Sequence, residues 1–457
     1  MQNERSKMLG TMKMTSLVPK ISVPIMISML VQALYNVADS IFVARYDLNC
    51  ITAVSLVFPI QMLIIAFAVG LGTGINSLIS RRLGEKRNDL AREAARHGVF
   101  LELCAYLIFL CIGLFLAPAF MSMMTKDPVL QDLGVQYLQI VTVFSFGCFV
   151  SVAMERIMQS AGNSSLAMCT QLTGAIINII LDPILIFGLL GVPAMGIRGA
   201  AIATVIGQIG GMMLGIFLNQ TKNKELKLSF RGFKPCRETI GRIMSVGFPS
   251  IIMQSISSVM NVLFNMILMP FGNVAVTVLG IYFKLQSFVF MPVFGLGNGL
   301  VAIVGYNFGA QLKKRVYAAI RVALTYALVI MAVGTALFIF IPGTLMSLFD
   351  SGESADLIAM GETALRIISA HFILAGIGIT LSTVFQAIGK GMYSLVMSLC
   401  RQLIVLIPCA WVLSRFGVNA VWWSFLVAET ISVALALVMY RKVNHTMLMP
   451  LQDPTEE

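Results

Sequence analysis

The chain has 457 residues, of which 58% are hydrophobic and 12% charged, and its mean hydropathy is +0.88. These values exclude an ordinary soluble globular domain. The apolar residues form runs long enough to cross about 30 Å of hydrocarbon as helices of roughly 20 residues, and the runs are apolar all round rather than alternating as barrel strands are. The sequence therefore predicts an all-α integral membrane protein.

Twelve apolar runs follow one another along the chain, and each predicts one transmembrane helix. The first run is too long for the apolar part of a signal peptide, so we expect it to remain in the protein as the first span. The runs begin near Ile21, Ala53, Gly98, Gly134, Leu166, Ile197, Ile243, Ala275, Val316, Thr363, Ser394 and Val418.

Lysine and arginine alternate with the spans rather than forming one basic surface. The N-terminal segment and the second, sixth and eighth loops are basic, whereas the odd loops contain few cations and the ninth, with "DSGESAD", is acidic. This distribution predicts a multi-pass membrane protein with both termini in the cytoplasm. The net charge of +11 follows from this topology, so no nucleic-acid partner is expected.

The eight cysteines are scattered, mostly inside spans, without a C-x-x-C pair or a histidine at ligand spacing. This argues against a metal site and against a disulfide framework. No G-x-x-x-x-G-K-[ST] loop occurs either. We therefore expect no cofactor, and we expect the protein to work as a monomer.

The chain contains an internal repeat, in which one constant shift along the sequence aligns the second half with the first and spans six transmembrane segments. An even number of spans per repeat gives two parallel halves, a design typical of transporters that bind substrate between lobes and alternate access. We predict an N-terminal lobe over residues 1–220 and a C-terminal lobe over 221–457. The shift aligns Pro24 with Pro249, Asn36 with Asn261, Phe58 with Phe283, Gln61 with Gln286, Gly84 with Gly309, and "GLGTG" (70–74) with "GLGNG" (295–299).

Two acids within the spans are absent from the second copy of the repeat. Asp39 aligns with Phe264, and Asp182 aligns with Ile407. The fold therefore does not require them. An ionised side chain in the middle of a membrane costs about 2.5 to 3.5 kcal/mol, so such acids indicate function.

The neighbours of these acids favour a cation site. Asn178 and Asp182 lie four residues apart on one helical face, Asn36 lies one turn before Asp39, and Thr204 offers a hydroxyl on the sixth span. Oxygen ligands of this kind suit a hard cation such as Na⁺, whereas two adjacent carboxyl groups suit a proton equally well. The alternative is that Asp39 and Asp182 are protonated and only accept hydrogen bonds between helices.

Lys284, in "IYFKLQSF" of the eighth span, also belongs to one lobe only, since it aligns with Pro59. It either faces the cavity, where it repels cationic drugs unless an acid neutralises it, or extends to the membrane interface. The sequence does not choose between these two positions.

Several stretches resemble the multidrug and toxic compound extrusion (MATE) family, and in particular its MepA-like branch. They are "SVPIMISMLVQALYNVADSIFVAR", "ISRRLGEKR", "MQSAGN", "NIILDPILIFG", "GYNFGA" and "FQAIGKG". The resemblance implies export of cationic or amphipathic drugs and dyes across a bacterial cytoplasmic membrane, driven by inward H⁺ or Na⁺. It also implies that Asp39, Asn178, Asp182 and Thr204 bind the coupling cation.

Three rival functions remain. A flippase of the same superfamily, moving a lipid-linked or amphipathic metabolite, shares the predicted fold. A major facilitator transporter also has two six-span repeats, but it has no counterpart of the intramembrane Asp and Asn set. An intramembrane aspartyl protease uses Y-D and G-x-G-D signatures, whereas the acids here lie in "NVADS" and "IILDP". We therefore predict a secondary transporter and not an enzyme.

Overall fold

The computed structural model of the chain describes residues 5–348 and 355–452, without the side chains at positions 5, 36, 37, 44, 48 and 355. Helices and their connections make up these ranges, and no strand occurs in them. Most of the acidic ninth loop lies outside the described residues. Ten helices are long and apolar enough to span a membrane, and two bent helix pairs bring the number to twelve. The predicted all-α architecture with twelve spans is thus confirmed.

The N-terminal lobe follows a short helix, α1 (Arg5–Thr11), and contains six spans. A π-helical segment (Ile112–Leu116) continues α4 into α5, and the fourth span bends by 42° between α6 and α7. The spans are α2 (Met14–Tyr46), α3 (Leu48–Gly84), α4 (Asn88–Cys111) with α5 (Ala117–Met124), α6 (Pro128–Val143) with α7 (Phe146–Ser160), α8 (Ser164–Phe187) and α9 (Ile197–Lys222).

The C-terminal lobe repeats this order, and its tenth span bends by 48° at the position of the bend in the fourth. π-Helical segments follow α16 and α19. The helices are α10 (Arg237–Leu268), α11 (Asn273–Gly309), α12 (Lys313–Phe340), the short α13 (Pro342–Ser347), α14 (Ala355–Ser369) with α15 (Phe372–Ala387), α16 (Gly391–Leu399) with α17 (Leu406–Leu413), and α18 (Val418–Trp422) with α19 (Ser424–Val443).

The bends have a local cause in the side chains at the breaks. The Ser145 hydroxyl donates to the carbonyl of Thr142 at 2.7 Å, and His371 Nδ1 lies 2.5 Å from the carbonyl oxygen of Ile368. Side chains that bond to carbonyls of the preceding turn interrupt the regular helical ladder, which is a common origin of kinks. The two broken spans therefore come from corresponding positions of the repeat.

The glycines shared by both halves of the repeat lie where the lobes meet. A Cβ at Gly70 of α3 would lie 2.7 Å from the backbone nitrogen of Ile251 in α10, and a Cβ at Gly295 of α11 would lie 2.9 Å from that of Met26 in α2. Met26 and Ile251 are themselves aligned by the repeat. Each lobe therefore contacts the other through the same pair of positions, as a pseudo-two-fold axis requires.

A second reciprocal contact lies further along the same two helices. A Cβ at Gly84 would collide with the carbonyl of Tyr306, and one at Gly309 would collide with the carbonyl of Arg81. Any larger residue would push the backbones apart, because both obstacles are main-chain atoms. We call the end of the molecule formed by residues 70–84 and 295–309 the closed end.

Both ends of the described chain also lie at the closed end. Asn307 Nδ2 donates to the carbonyl of Leu9 at 2.9 Å, and Lys313 Nζ donates to the carbonyl of Met449 at 2.7 Å. The first and last segments thus meet neighbouring positions of α11 and α12. This is the arrangement expected for an even number of spans.

Toward the opposite end, the facing surfaces of α3 and α11 are exposed. Pro59 precedes Gly70 by eleven residues, and Lys284 precedes Gly295 by eleven. Eleven residues are about three helical turns, so each pair shares a face, yet Pro59 and Lys284 are exposed. The lobes therefore enclose a cleft that opens away from the closed end.

Candidate functional site

The structure brings the two intramembrane aspartates of the N-terminal lobe together. Asp39 of α2 and Asp182 of α8 lie within side-chain hydrogen-bonding distance of each other. Asp182 has no exposed surface. A hydrogen bond between two carboxyl groups needs a proton on one of them, because ionised carboxylates are acceptors only. The geometry of this acid pair is therefore that of a site able to hold a proton.

Asn178 connects Asp182 to the sixth span. With its amide nitrogen toward Asp182, Asn178 donates to Oδ2 at 3.2 Å, and its amide oxygen accepts from the backbone N–H of Thr204 at 3.2 Å. This orientation satisfies both ends of the amide, whereas the opposite one places acceptors together. The predicted residues Asn178, Asp182 and Thr204 thus form one connected group.

Small residues allow α8 and α9 to approach closely enough for these bonds. A Cβ at Gly207 of α9 would lie 2.6 Å from the carbonyl oxygen of Gly174 in α8 and 3.2 Å from the Cβ of Asn178. Gly207 lies one turn after Thr204. Glycine at this position therefore sets the distance at which the Thr204 backbone meets the Asn178 amide.

Two tyrosines that sequence reasoning did not identify border the acid pair. Tyr35, one turn before Asp39 on α2, and Tyr137 on α6 each interact electrostatically with Asp39 and Asp182. Gln61 of α3 donates to the Tyr137 hydroxyl at 2.8 Å. Tyr35 could have been found from its helical spacing to Asp39, whereas Tyr137 comes from another span and leaves no such signal.

One oxygen of the pair is left without a partner. Asp39 Oδ1 is buried and accepts no hydrogen bond from any group in the described part of the chain. Buried polar atoms are normally paired, so an unpaired carboxyl oxygen marks a place for a proton, water or cation. The predicted neighbour Asn36 lies in α2, but its side chain is outside the described residues.

Lys284 does not belong to the acid pair. It lies on the face of α11 that points across the cleft toward the N-terminal lobe, near the open end. The side chain is exposed, and its assignment to the substrate path stays a prediction.

Two further buried acids were missed, although the same signal, an acid inside an apolar run, marks both. Glu102 of α4 is fully buried, and neither of its carboxyl oxygens has a hydrogen-bond partner among the described groups. Glu429 of α19 is 3% exposed and lies 3.5 Å from Arg401 Nη1 in the π-helical segment after α16. The C-terminal lobe thus has a charge pair of its own, formed by a buried carboxylate and a partly exposed arginine, which we call the Arg401–Glu429 pair.

The described residues contain no group of three or more His, Cys, Asp or Glu side chains arranged to hold a metal ion. The acid pair has two carboxyl groups and one amide, which is fewer ligands than Mg²⁺ or Ca²⁺ prefers. Its chemistry fits a proton or a monovalent cation.

Comparison with known proteins places this chain in a family. The MatE family model matches residues 24–184 and 249–412. The two matched segments begin at Pro24 and Pro249, the prolines that the internal repeat aligns. This chain belongs to the MatE family. The resemblance seen in the sequence is thereby confirmed.

Relatives and solved structures of the MatE family cover nearly the whole chain. The multidrug export protein MepA of Staphylococcus haemolyticus is 29% identical over 419 residues, which are 91% of each protein. A multidrug resistance MATE family transporter of the MOP superfamily, solved in an outward-facing conformation, has a TM-score of 0.90 at 26% identity and covers 97% of this chain and 98% of that one. The chain is thus a membrane transporter of the MatE family and not an enzyme.

One similar structure is described as having a binding pocket of different polarity. A MOP superfamily transporter from Pyrococcus furiosus, described as having a binding pocket of reverse polarity that suggests a different function, has a TM-score of 0.90 at 26% identity and covers 97% of this chain and 98% of that one. Members with this fold therefore differ in the charge of their pockets. The charged residues of each chain, rather than its fold, must identify its substrate.

Proposed function

We propose that this protein exports amphipathic, mainly cationic drugs in exchange for protons, as a monomer, by alternating access between two lobes. Drug binds in the cleft between α2 and α3 on one side and α10 and α11 on the other. The closed end faces the cytoplasm, and the conformation described here, with its cleft open at the other end, is the outward-facing state.

The observation that carries this proposal is the close approach of the Asp39 and Asp182 side chains. Because two carboxyl groups this close repel each other when both are ionised, a proton on one of them fits the site as it stands, whereas Na⁺ would require the two groups to separate around the ion. Loss of the proton leaves two like charges on α2 and α8 that repel each other. Occupancy of the acid pair therefore changes how α2 packs, and α2 also contacts the other lobe through Met26.

The energy available is sufficient for export. One elementary charge crossing 100 mV supplies about 2.3 kcal/mol, and about 1.4 kcal/mol sustains a tenfold gradient. A single proton therefore supports a gradient of roughly fifty-fold for a neutral drug at that potential. One-for-one exchange with a monocationic drug moves no net charge, so the pH difference alone drives it, at about tenfold per pH unit. The family relatives named multidrug export protein support this choice of substrate.

The test is uptake of a fluorescent cationic drug into everted vesicles under an imposed pH gradient or an imposed Na⁺ gradient. We expect the pH gradient alone to drive uptake, and we expect Asp39→Asn to abolish it while drug binding persists. Asp47→Asn is the matched control, because Asp47 is an exposed acid directly after α2 whose carboxylate accepts from the backbone N–H of Asn49. Uptake driven by Na⁺, or normal uptake by Asp39→Asn, contradicts the proposal.

A second candidate is a flippase that moves an anionic amphipathic lipid. The observation in its favour is Lys284, a cation exposed on the cleft face of α11. Fluorescent anionic lipid in liposomes containing the purified protein distinguishes the two functions. Protein-dependent lipid movement that drug does not inhibit supports the flippase.

A further inference from the structure

The short N-terminal helix α1 is fastened to the C-terminal lobe at the closed end. Arg315 Nη2 of α12 donates to the carbonyl of Leu9 at 3.1 Å and to that of Met12 at 2.8 Å. Asn307 Nδ2 donates to the same Leu9 carbonyl at 2.9 Å, and its oxygen accepts from Arg315 Nε at 3.0 Å. Leu9 is fully buried.

Arg315 acts at the C-terminal end of α1, where carbonyl groups have no partner within the helix. The last carbonyls of any helix are unsatisfied and carry partial negative charge, so a guanidinium group there supplies both hydrogen bonds and charge. Packing strengthens the contact, since a Cβ at Gly10 would lie 3.0 Å from Cε1 of Tyr306. The helix is thus held close to α11 by a small residue and two polar side chains.

The other side of α1 is held by the N-terminal lobe through the connection that follows α9. In that connection Glu225 lies beside Ser6 of α1 and interacts with it. The backbone around Glu225 is tied to that lobe, because Arg92 Nε of α4 donates to its carbonyl at 2.9 Å and Asn219 Nδ2 of α9 donates to the carbonyl of Leu226 at 3.3 Å. Helix α1 therefore bridges the two lobes at the end where they are in contact.

The residues that hold α1 are not part of the repeat. The shift that aligns Pro24 with Pro249 aligns Leu90 with Arg315 and Arg82 with Asn307. The two-lobe fold therefore does not require this arginine and this asparagine, and the reciprocal glycine contacts already bring the lobes together. A fastening that occurs once in the molecule, across the boundary that must open, indicates a role in opening.

We propose that α1 is a strap that holds the closed end shut, and that Arg315 and Asn307 are positioning residues that must release it before the lobes part on that side. The proposal rests on alternating access, as inferred above. Opening of the closed end breaks the bonds from Arg315 and Asn307 to Leu9 and Met12. The strap therefore sets how often the protein leaves the outward-facing state.

The experiment measures opening of the closed end directly with a cysteine introduced at Ser80. Ser80 is fully buried in α3, and its Cβ lies 3.1 Å from the position of a Cβ at Gly305 in α11. A maleimide reaches this position only when the lobes part. Labelling of Ser80→Cys in the full-length protein in liposomes is followed by mass spectrometry of the peptide, which separates it from the eight native cysteines.

We expect Arg315→Ala to raise the labelling rate by about tenfold, as loss of charge-assisted hydrogen bonds predicts. Removal of residues 2–12 should raise the labelling rate equally. The chain with both changes should be labelled no faster than the chain with either one, because both changes remove the same contact. Arg315→Lys should restore part of the protection. Arg321→Ala, an exposed arginine on the same helix, is the control and should leave the rate unchanged.

The strap is refuted by unchanged labelling in both Arg315→Ala and the truncated chain, by additive effects, or by an equal effect of Arg321→Ala. If Arg315→Ala is not produced in folded form, the truncated chain and Arg315→Lys decide the outcome. Drug uptake by the Ser80→Cys protein is measured in the same liposomes. Normal uptake with unchanged labelling rejects the strap alone, whereas absence of gradient-driven uptake rejects the proposed function.

Discussion

Replacing Gly207 by alanine tests whether the spacing of α8 and α9 controls the cation site. The new Cβ would lie 2.6 Å from the carbonyl oxygen of Gly174. Carbon and oxygen atoms in contact are normally at least about 3.3 Å apart, so the helices must separate locally by about 0.7 Å. The hydrogen bond between Asn178 and the N–H of Thr204, now 3.2 Å, then lengthens to roughly 3.9 Å, which is outside the hydrogen-bonding range.

This separation has two consequences. Overpacking destabilises a protein by about 1 to 3 kcal/mol, which lowers its melting temperature. The Asn178 amide also loses one of its two partners, worth about 1 kcal/mol, and no longer orients Asp182. We expect uptake driven by the pH gradient to fall by about tenfold while equilibrium drug binding in the cleft changes little.

Gly210→Ala is the matched control on the same helix. A Cβ there would meet only Cδ1 of Ile177 at 2.5 Å, the terminal methyl of a flexible side chain that can rotate away. We expect Gly210→Ala to transport nearly as well as the original protein. Equal loss of transport in both variants, or normal transport by Gly207→Ala, would show that helix spacing does not govern the site.

Three further predictions concern charged groups. Arg401→Ala should lower the melting temperature sharply, because it leaves Glu429 buried without its partner, worth about 3 to 5 kcal/mol, whereas Arg401→Met combined with Glu429→Gln should restore most of it. Burial raises the pKa of the Glu225 carboxyl, which faces Lys7, Arg92 and Tyr306. Protonation of Glu225 therefore stabilises the conformation in which the closed end is shut. Maleimide reacts with the thiolate, so the labelling rate of Ser80→Cys is divided by the rate for the denatured protein at the same pH. This ratio should fall as the pH falls from the raised pKa toward the ordinary 4.5, and Glu225→Gln should remove its pH dependence. Lys284→Gln should raise the affinity for a monocationic dye, measured by fluorescence titration, and leave that for a neutral drug unchanged.

The spans and the repeat could be predicted because they depend on local pattern. Each apolar run forms one span, although the fourth and tenth spans are bent helix pairs. The single shift that relates the two halves aligned the glycines that the structure places at the lobe interface. The sequence pattern does not show which residue of the other lobe each glycine contacts. That Gly70 meets Ile251 while Gly295 meets Met26 follows from the pseudo-two-fold arrangement of the lobes, which only the folded molecule defines.

The candidate site likewise has a part that the sequence predicts and a part that only the folded molecule defines. Asp39 and Asp182 stand out in the sequence because charge is rare within apolar runs, and the spacing of Asn178 to Asp182 indicates a shared face. The hydrogen bond between α2 and α8, and the approach of Tyr137, depend on helix rotation and packing. The bonds from Arg315 to Leu9 and Met12 join residues about 300 positions apart, and no sequence pattern marks a backbone carbonyl as a partner.

The positions shared by the repeat and those that differ have separate physical roles. The shared glycines let backbones touch at the closed end in both lobes alike, and such contacts carry no charge that an ion can change. The acid pair and the Arg401–Glu429 pair each occur in one lobe only, and the fastening of α1 occurs once, between the lobes. On the proposed mechanism a proton therefore alters α2 and α8 without altering their counterparts α10 and α16. Because α2 also contacts Gly295 of the other lobe, a change in its packing acts directly on one of the two reciprocal contacts and leaves the other in place. This asymmetry allows a single binding event to loosen the closed end without abolishing the common interface.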